Sequence, residues 1–288
     1  MIVLKTSKKH TIKQTHTLDW KYGPIAVDVW HPQESSGVAP IMLVHGWGGT
    51  GSYWEPIARE LSKTTPVIVP DLPGTGRSQP LRHTQNLFDQ VENIKFILDS
   101  LQVDCVQLVG HSMGGAMSVM VAADQPERVQ CLVLTSVTFF KTQAQVDFYR
   151  NLMQFFRVSM HFRPSWLVAV PGVAQMMASQ YFHRVPDDPA ILRQGLNDYL
   201  NLDRKTAIAC ADDATDSRIR AAGQRVQART MLIAARQDNM MPKENVDFTA
   251  EIIGDCQVRW IDECGHLPMV EKTNEYQALL EDFLTLYP

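Results

Sequence analysis

One stretch constrains the fold of this chain more than any other. Val106-Gln107-Leu108-Val109 is a short, mostly apolar run with two valines, and residues 116–123 form a longer apolar run after it. The first reads as a buried strand and the second as a buried helix. Between them stands Gly110-His111-Ser112-Met113-Gly114-Gly115, with the serine flanked by glycines two residues away on either side. A strand that turns straight into a helix forces its central residue into a strained backbone, and a side chain at either flanking glycine would collide with the turn. The strain pushes the Ser112 hydroxyl out beyond the carboxyl end of a sheet. The N–H of Met113, at the start of the helix, is then free to stabilise an oxyanion.

The rest of the chain alternates in the same way. Residues 11–20 and 25–30 alternate polar and apolar positions around Lys21-Tyr22-Gly23-Pro24, which predicts an antiparallel hairpin at a sheet edge, with a loop over 31–39. Residues 40–44, 67–69, 129–135, 230–235 and 257–261 read as further strands, and 52–61, 87–101, 216–226, 243–253 and 271–286 as helices. Such βαβα repetition predicts an α/β fold with a mostly parallel central sheet and helices on both faces. From Phe139 to about residue 205 the pattern changes to helices, with an apolar stripe through Phe148, Leu152, Phe155, Phe156, Met160 and Phe162 and a break at Pro171-Gly172. This segment reads as an inserted helical cap. The expected organisation is a core of residues 1–138 and 206–288, with a cap over 139–205.

Composition narrows the function. A net charge of −4 without a long run of one sign speaks against nucleic acid as a partner. No window is apolar for long enough to span a membrane, and the N-terminal residues lack the pattern of a signal peptide. Five scattered cysteines without a C-x-x-C pair suggest reduced thiols and a cytoplasmic protein, either a monomer or a homodimer. No metal cluster and no cofactor fingerprint is present, so the expected partner is a small molecule.

A serine hydroxyl needs a base to take its proton, and the base needs a carboxylate to fix its tautomer. Ser112, Asp238 and His266 each fall at the end of an expected strand, where sites in such sheets lie. Asp71 sits in the tight turn Pro70-Asp71-Leu72-Pro73-Gly74 and reads as bonding its own backbone. Glu263 is too close in sequence to reach around the His266 ring, and Cys264 reads as packing. His111 is expected to point away from the nucleophile, while His161 and His183 belong to the cap. His45-Gly46-Trp47-Gly48-Gly49 lacks the lysine of a phosphate loop, so its backbone is expected to approach a bound group, with Trp47 donating a second N–H to an oxyanion. His45 reads as fixing this loop through its ring.

The order Ser112, Asp238, His266 resembles that of the α/β-hydrolases. His45 to Gly49 is similar to their oxyanion loop, Asp71 to Ser78 to their strand-end turn, Gly110 to Gly115 to their nucleophile elbow, and Gly265-His266-Leu267-Pro268 to their base loop. The resemblance covers residue 25 to the end, apart from the cap. It implies a serine hydrolase that cleaves a carboxylic ester through an acyl-enzyme, with a hydrophobic acyl or alcohol part. The pocket candidates are His45, His111, Phe139, Phe155, Met160, Trp166 and Leu267. Thioesters, lactones and carbon–carbon bonds are alternative substrates for the same residues. Members that open ring-fission products commonly carry Asn before the serine and Trp after the histidine, where this chain has His111 and Leu267. A slow-turnover ligand receptor is the alternative from another class.

Overall fold

The computed structural model describes residues 11–34 and 37–287, without the side chain of Phe155. Residues 1–10, counted with the core and read as lacking a signal peptide, and two serines of the expected 31–39 loop lie outside the described residues.

The sheet has eight strands among the described residues: β1 (Ile12–Trp20), β2 (Gly23–His31), β3 (Ile41–Val44), β4 (Val67–Pro70), β5 (Val106–His111), β6 (Val129–Thr135), β7 (Arg229–Ala235) and β8 (Cys256–Ile261). The helices are α1 (Glu55–Leu61), α2 (Leu87–Ser100), α3 (Met113–Asp124), α4 (Gln143–Ser159), α5 (Val173–Ala178), α6 (Pro189–Leu200), α7 (Arg204–Asp213), α8 (Ser217–Gly223), α9 (Val246–Ile253), α10 (Pro268–Glu271) and α11 (Thr273–Leu284). In space the strands run β1-β2-β4-β3-β5-β6-β7-β8. The hairpin β1–β2 joins β4 antiparallel, and every pairing from β4 onward is parallel. The expected edge hairpin is present, with β1 outermost.

β5 lies inside the parallel part, and all six of its residues are buried. Its side chains alternate between two layers. Val106 and Leu108 pack with Leu87, Val91, Ile94 and Leu98 of α2 and with Val119 of α3. Val109 packs on the other side with Ile57 of α1 and Tyr276 and Leu280 of α11. Each fully buried Leu or Ile contributes roughly 1.5–3 kcal/mol. Asn86 starts α2 with a reciprocal capping box to Asp89, worth about 1 kcal/mol.

Between β6 and β7 the chain runs through the helices α4 to α8. The Pro171-Gly172 break appears as Gly172 at φ +82°, immediately before α5. The sequence did not reveal α7, because the face it buries is made of Thr206, Ala207, Cys210 and Ala211, small residues with a weak apolar period. The helix expected over 271–286 is α11, and the one-turn α10 precedes it, separated at Lys272, where φ −127° and ψ +47° leave the helical region.

Candidate active site

The elbow has the strain that its sequence requires. Ser112 sits at φ +52°, ψ −124°, a region that side chains rarely occupy, between the end of β5 and the first residue of α3. Its N–H donates to the Thr135 carbonyl at 2.8 Å, and its carbonyl accepts from Gly115 and Ala116, locking the turn to β6 and α3. A Cβ on Gly114 would lie 2.3 Å from the His45 carbonyl oxygen, and one on Gly110 would lie 2.6 Å from the Gly115 Cα. The glycines are there because strand, helix and the loop after β3 converge on one point.

Asp238 and His266, each at the end of a strand of the same sheet, form a buried pair. His266 Nδ1 is 2.8 Å from Asp238 Oδ2. That carboxylate accepts only, so Nδ1 carries the proton and Nε2 is left as the basic nitrogen. Asp238 Oδ1 accepts the N–H groups of Met240 and Met241 at 2.8 and 3.2 Å. Burial by itself would raise the Asp238 carboxyl; the His266 ring and these two N–H donors more than offset it and hold it below the ordinary carboxylate value.

Ser112, His266, Met113 and Trp47 line one cavity of about 590 Å³, together with Val137, Phe139, Tyr149 and Met153. Among the described residues neither the Trp47 nor the Met113 backbone N–H has a protein acceptor, and both residues line the cavity. A second cavity of about 460 Å³ opens on the other side of His266, lined by Tyr53, Met177, Phe182, Ile191, Leu196 and Leu267. Trp47, Tyr181 and His266 border both.

The pocket candidates divide. Phe139 lines the first cavity, and His111 and Leu267 line the second. Phe155 lies outside the described side chains. His45 lines neither: it is buried, donates from Nδ1 to the Gly46 carbonyl and accepts the Leu72 N–H at Nε2, at 2.9 and 3.0 Å. Its ring fixes the loop, as the sequence suggested, and burial holds its pKa below the usual histidine value. Met160 fills a small cluster with Leu202 and Ala207 instead. Trp166 is 59 % exposed, on a short turn that buries none of its residues.

The rivals are accounted for. Asp71 accepts from Gly51 N–H and from the Arg77 backbone and guanidinium, and so ties down its own turn. Glu263 pairs with Arg184 at the surface. The Cys264 thiol is fully buried and pushed up to about 12 by that burial.

Several supporting residues escaped the sequence. Glu271, at the end of α10, accepts from the N–H groups of Gly265, His183 and Arg184 and so straps residues 183 and 184 to the loop that carries His266. The Tyr181 carbonyl accepts the His266 N–H at 2.6 Å, and a Cβ on Gly265 would lie 2.5 Å from that oxygen. Trp47 Nε1 donates to the Ala207 carbonyl of α7 at 2.8 Å, and Asp198 of α6 accepts the Thr50 and Ser52 hydroxyls. The only sequence cue was the glycine beside the histidine.

A family model of the α/β hydrolase fold matches residues 39–273. The 2-hydroxy-6-oxo-2,4-heptadienoate hydrolase of Pseudomonas putida is 28% identical over 85% of this chain and 88% of its own. Human monoacylglycerol lipase ABHD6 is 23% identical over 85% of this chain and 74% of its own. Among solved structures, a thermophilic esterase from Thermogutta terrifontis superposes with a TM-score of 0.75 at 20% identity, covering 96% of this chain and 99% of that one. A putative lipase from Acinetobacter baumannii gives 0.78 at 18% identity, covering 96% and 92%. With its elbow and strand order, the chain belongs to the α/β hydrolase fold family.

Proposed function

We propose that the protein is a serine hydrolase that cleaves carboxylic esters through an acyl-enzyme. One observation carries the reading: Ser112, on a strained elbow, shares a cavity with the Asp238-bound His266 and with two unpartnered backbone N–H groups. Ser112 Oγ attacks the ester carbonyl as its proton passes to His266 Nε2. The N–H groups of Trp47 and Met113 stabilise the oxyanion. His266 returns the proton to the leaving alcohol oxygen as the carbon–oxygen bond breaks, and a water activated at the same nitrogen releases the acid. Asp238 orients His266 throughout. The apolar second cavity supports a hydrophobic acyl or alcohol part, and residues 139–205 act as the cap over it. Five free cysteines support a reducing compartment such as the cytoplasm, and the substrate is a small molecule.

A second reading rests on the Pseudomonas putida relative. A 2-hydroxy-6-oxo-2,4-heptadienoate contains no ester, so its hydrolysis breaks a carbon–carbon bond beside the 6-oxo group. The same serine could attack such a ketone here. Steady-state hydrolysis of p-nitrophenyl esters from acetate to palmitate, by wild type and Ser112→Ala, separates the readings. Multiple turnover that falls by roughly 10³-fold or more in the variant is expected. A single burst points to a receptor. Absence of Ser112-dependent ester hydrolysis sinks the ester reading and moves the assay to 6-oxo dienoates.

A further inference from the structure

His111, next to the nucleophile, was expected to turn away from the chemistry. The structure makes it the centre of a hydrogen-bonded chain instead. Its Nε2 is 2.9 Å from the His266 carbonyl oxygen, which can only accept, so Nε2 carries the proton. Nδ1 is then the acceptor, and the Tyr53 hydroxyl donates to it at 2.9 Å. The same hydroxyl oxygen accepts the Gly46 N–H at 2.7 Å. Gly46 immediately precedes Trp47, the proposed oxyanion donor. Ser136, itself at φ +53°, adds a second donor to the His266 carbonyl at 3.0 Å.

One end of the chain is a backbone N–H that only donates and the other a carbonyl that only accepts. A neutral imidazole protonated at Nε2 satisfies both of its bonds, with the Tyr53 hydroxyl donating to Nδ1. Burial, followed by the neighbouring His266 charge, pushes its pKa down to about 3, so it stays neutral over the working range. The ring is 3% exposed, and a Cβ on Gly46 would lie 2.9 Å from its Nδ1, so neither end has room to drift.

We infer that Tyr53 and His111 are positioning residues that hold the oxyanion loop and the base loop in register with Ser112. One arm runs from Tyr53 to Gly46 and sets where the Trp47 N–H points. The other runs from His111 Nε2 to the His266 backbone and sets where that imidazole stands. The inference rests on the serine-hydrolase reading above, because it assigns these residues their work through Ser112 and His266. A displacement of about 1 Å in either loop is enough to cost on the order of 100-fold in rate.

Amide side chains separate the two arms. Asn at position 111 can place an oxygen near the ring Nδ1 and keep the Tyr53 arm, but it is too short to reach the His266 carbonyl. Gln can place its NH₂ near the ring Nε2 and keep the base arm, while losing the acceptor for Tyr53. Tyr53→Phe removes one oxygen and breaks the oxyanion arm alone. Each variant is read on ester turnover and, independently, on the rate at which a fluorophosphonate labels Ser112, which needs an activated serine but no acyl turnover. Melting curves confirm that each variant is folded.

Tyr53→Phe and His111→Gln are expected to lower kcat roughly 10- to 100-fold with KM within about twofold, and to weaken binding of a boronic acid that mimics the oxyanion. His111→Asn is expected to keep the boronic acid affinity and to slow both kcat and fluorophosphonate labelling roughly 10-fold or more, because a loosened His266 is less well placed to take the Ser112 proton. A folded Tyr53→Phe with kcat within twofold of wild type overturns the oxyanion arm. Labelling of a folded His111→Asn within twofold of wild type overturns the base arm. If wild type is labelled at Ser112 yet turns over no ester, the substrate reading fails, and the labelling rates of the variants still decide the positioning.

Discussion

The end of β5 and the cap above it are built on opposite principles. At the elbow, every residue of the strand is buried, and three glycines stand where a single added carbon would meet another atom at 2.6 Å or less. In the cap, the turn Ser165–Ala169 and α5 bury none of their residues, and Phe148 and Phe162 are 71% and 73% exposed. A densely packed element has one arrangement, since displaced atoms have nowhere to go. A loosely covered one can be changed without disturbing its neighbours. On the proposed function, the reacting atoms sit where geometry is over-determined, and the walls that would meet a substrate sit where it can vary. Polar contacts between residues 139–205 and the rest include Asp198 to Thr50 and Ser52, Gln145 to Asn245, Tyr181 to His266, and residues 183 and 184 to Glu271.

The sharpest way to break this contrast is one methyl group placed in each region. Gly114→Ala puts its Cβ 2.3 Å from the His45 carbonyl oxygen and 2.6 Å from that of Val44, both backbone atoms that cannot rotate aside. It should destabilise the protein by about 4 kcal/mol or more, at the exceptional end of single substitutions. Gly195→Ala in α6 meets nothing within 4 Å and should stabilise by about 1 kcal/mol through helix propensity. Urea unfolding midpoints of both variants check the pair. A Gly114→Ala protein as stable as wild type would mean that the elbow is not close-packed.

Acid sharpens the contrast next. His111 has its pKa lowered to about 3 against 6.5 for the free side chain, and His45 is lowered too; both belong to the core. Between those values the unfolded chain binds a proton that the folded chain refuses. Stability is therefore complete above pH 6.5 and falls as pH drops below it, by up to about 1.4 kcal/mol per pH unit for His111. Asp28, Asp71 and Asp238, held below their ordinary values, withdraw their own contribution only as pH falls below about 4. Denaturant midpoints at pH 7, 6 and 5 should fall in that order. The slope should be shallower in His111→Gln, whose side chain does not titrate, and equal slopes would remove His111 as the cause.

What the sequence revealed follows the same division. The strained turn at Ser112 and the glycine-bearing loops 45–49 and 265–268 were legible because each packs its signal into a few consecutive residues whose types have few other uses. The Asp238–His266 pair could be anticipated because both lie at strand ends of a sheet whose alternation was plain. The Tyr53–His111–His266 chain was invisible, since it joins positions 58 and 155 residues apart through ring atoms that no periodicity describes. In the cap, apolar spacing predicted helices but not what covers them. Phe148 and Phe162 belong to one apolar stripe with Met160, yet they are exposed while Met160 is buried with Leu202. Helical period identifies a face; only tertiary contact decides whether anything lies on it.

The smallest expected effect is the most direct test of the cap's looseness. Trp166 is 59% exposed, lines neither cavity beside His266 and, among the described residues, makes none of the ring stacking or hydrogen bonds that anchor Trp47. Replacing it by serine gives up little buried area, because most of the ring already faces water. Trp166→Ser should change stability by no more than about 0.5 kcal/mol and leave kcat on a p-nitrophenyl acetate unaltered. Thermal melts and acetate kinetics suffice to measure both. A loss of several degrees in Tm would mean that the outer face of the cap is packed in solution, and the division between a rigid floor and an adjustable roof would then have to be drawn further out.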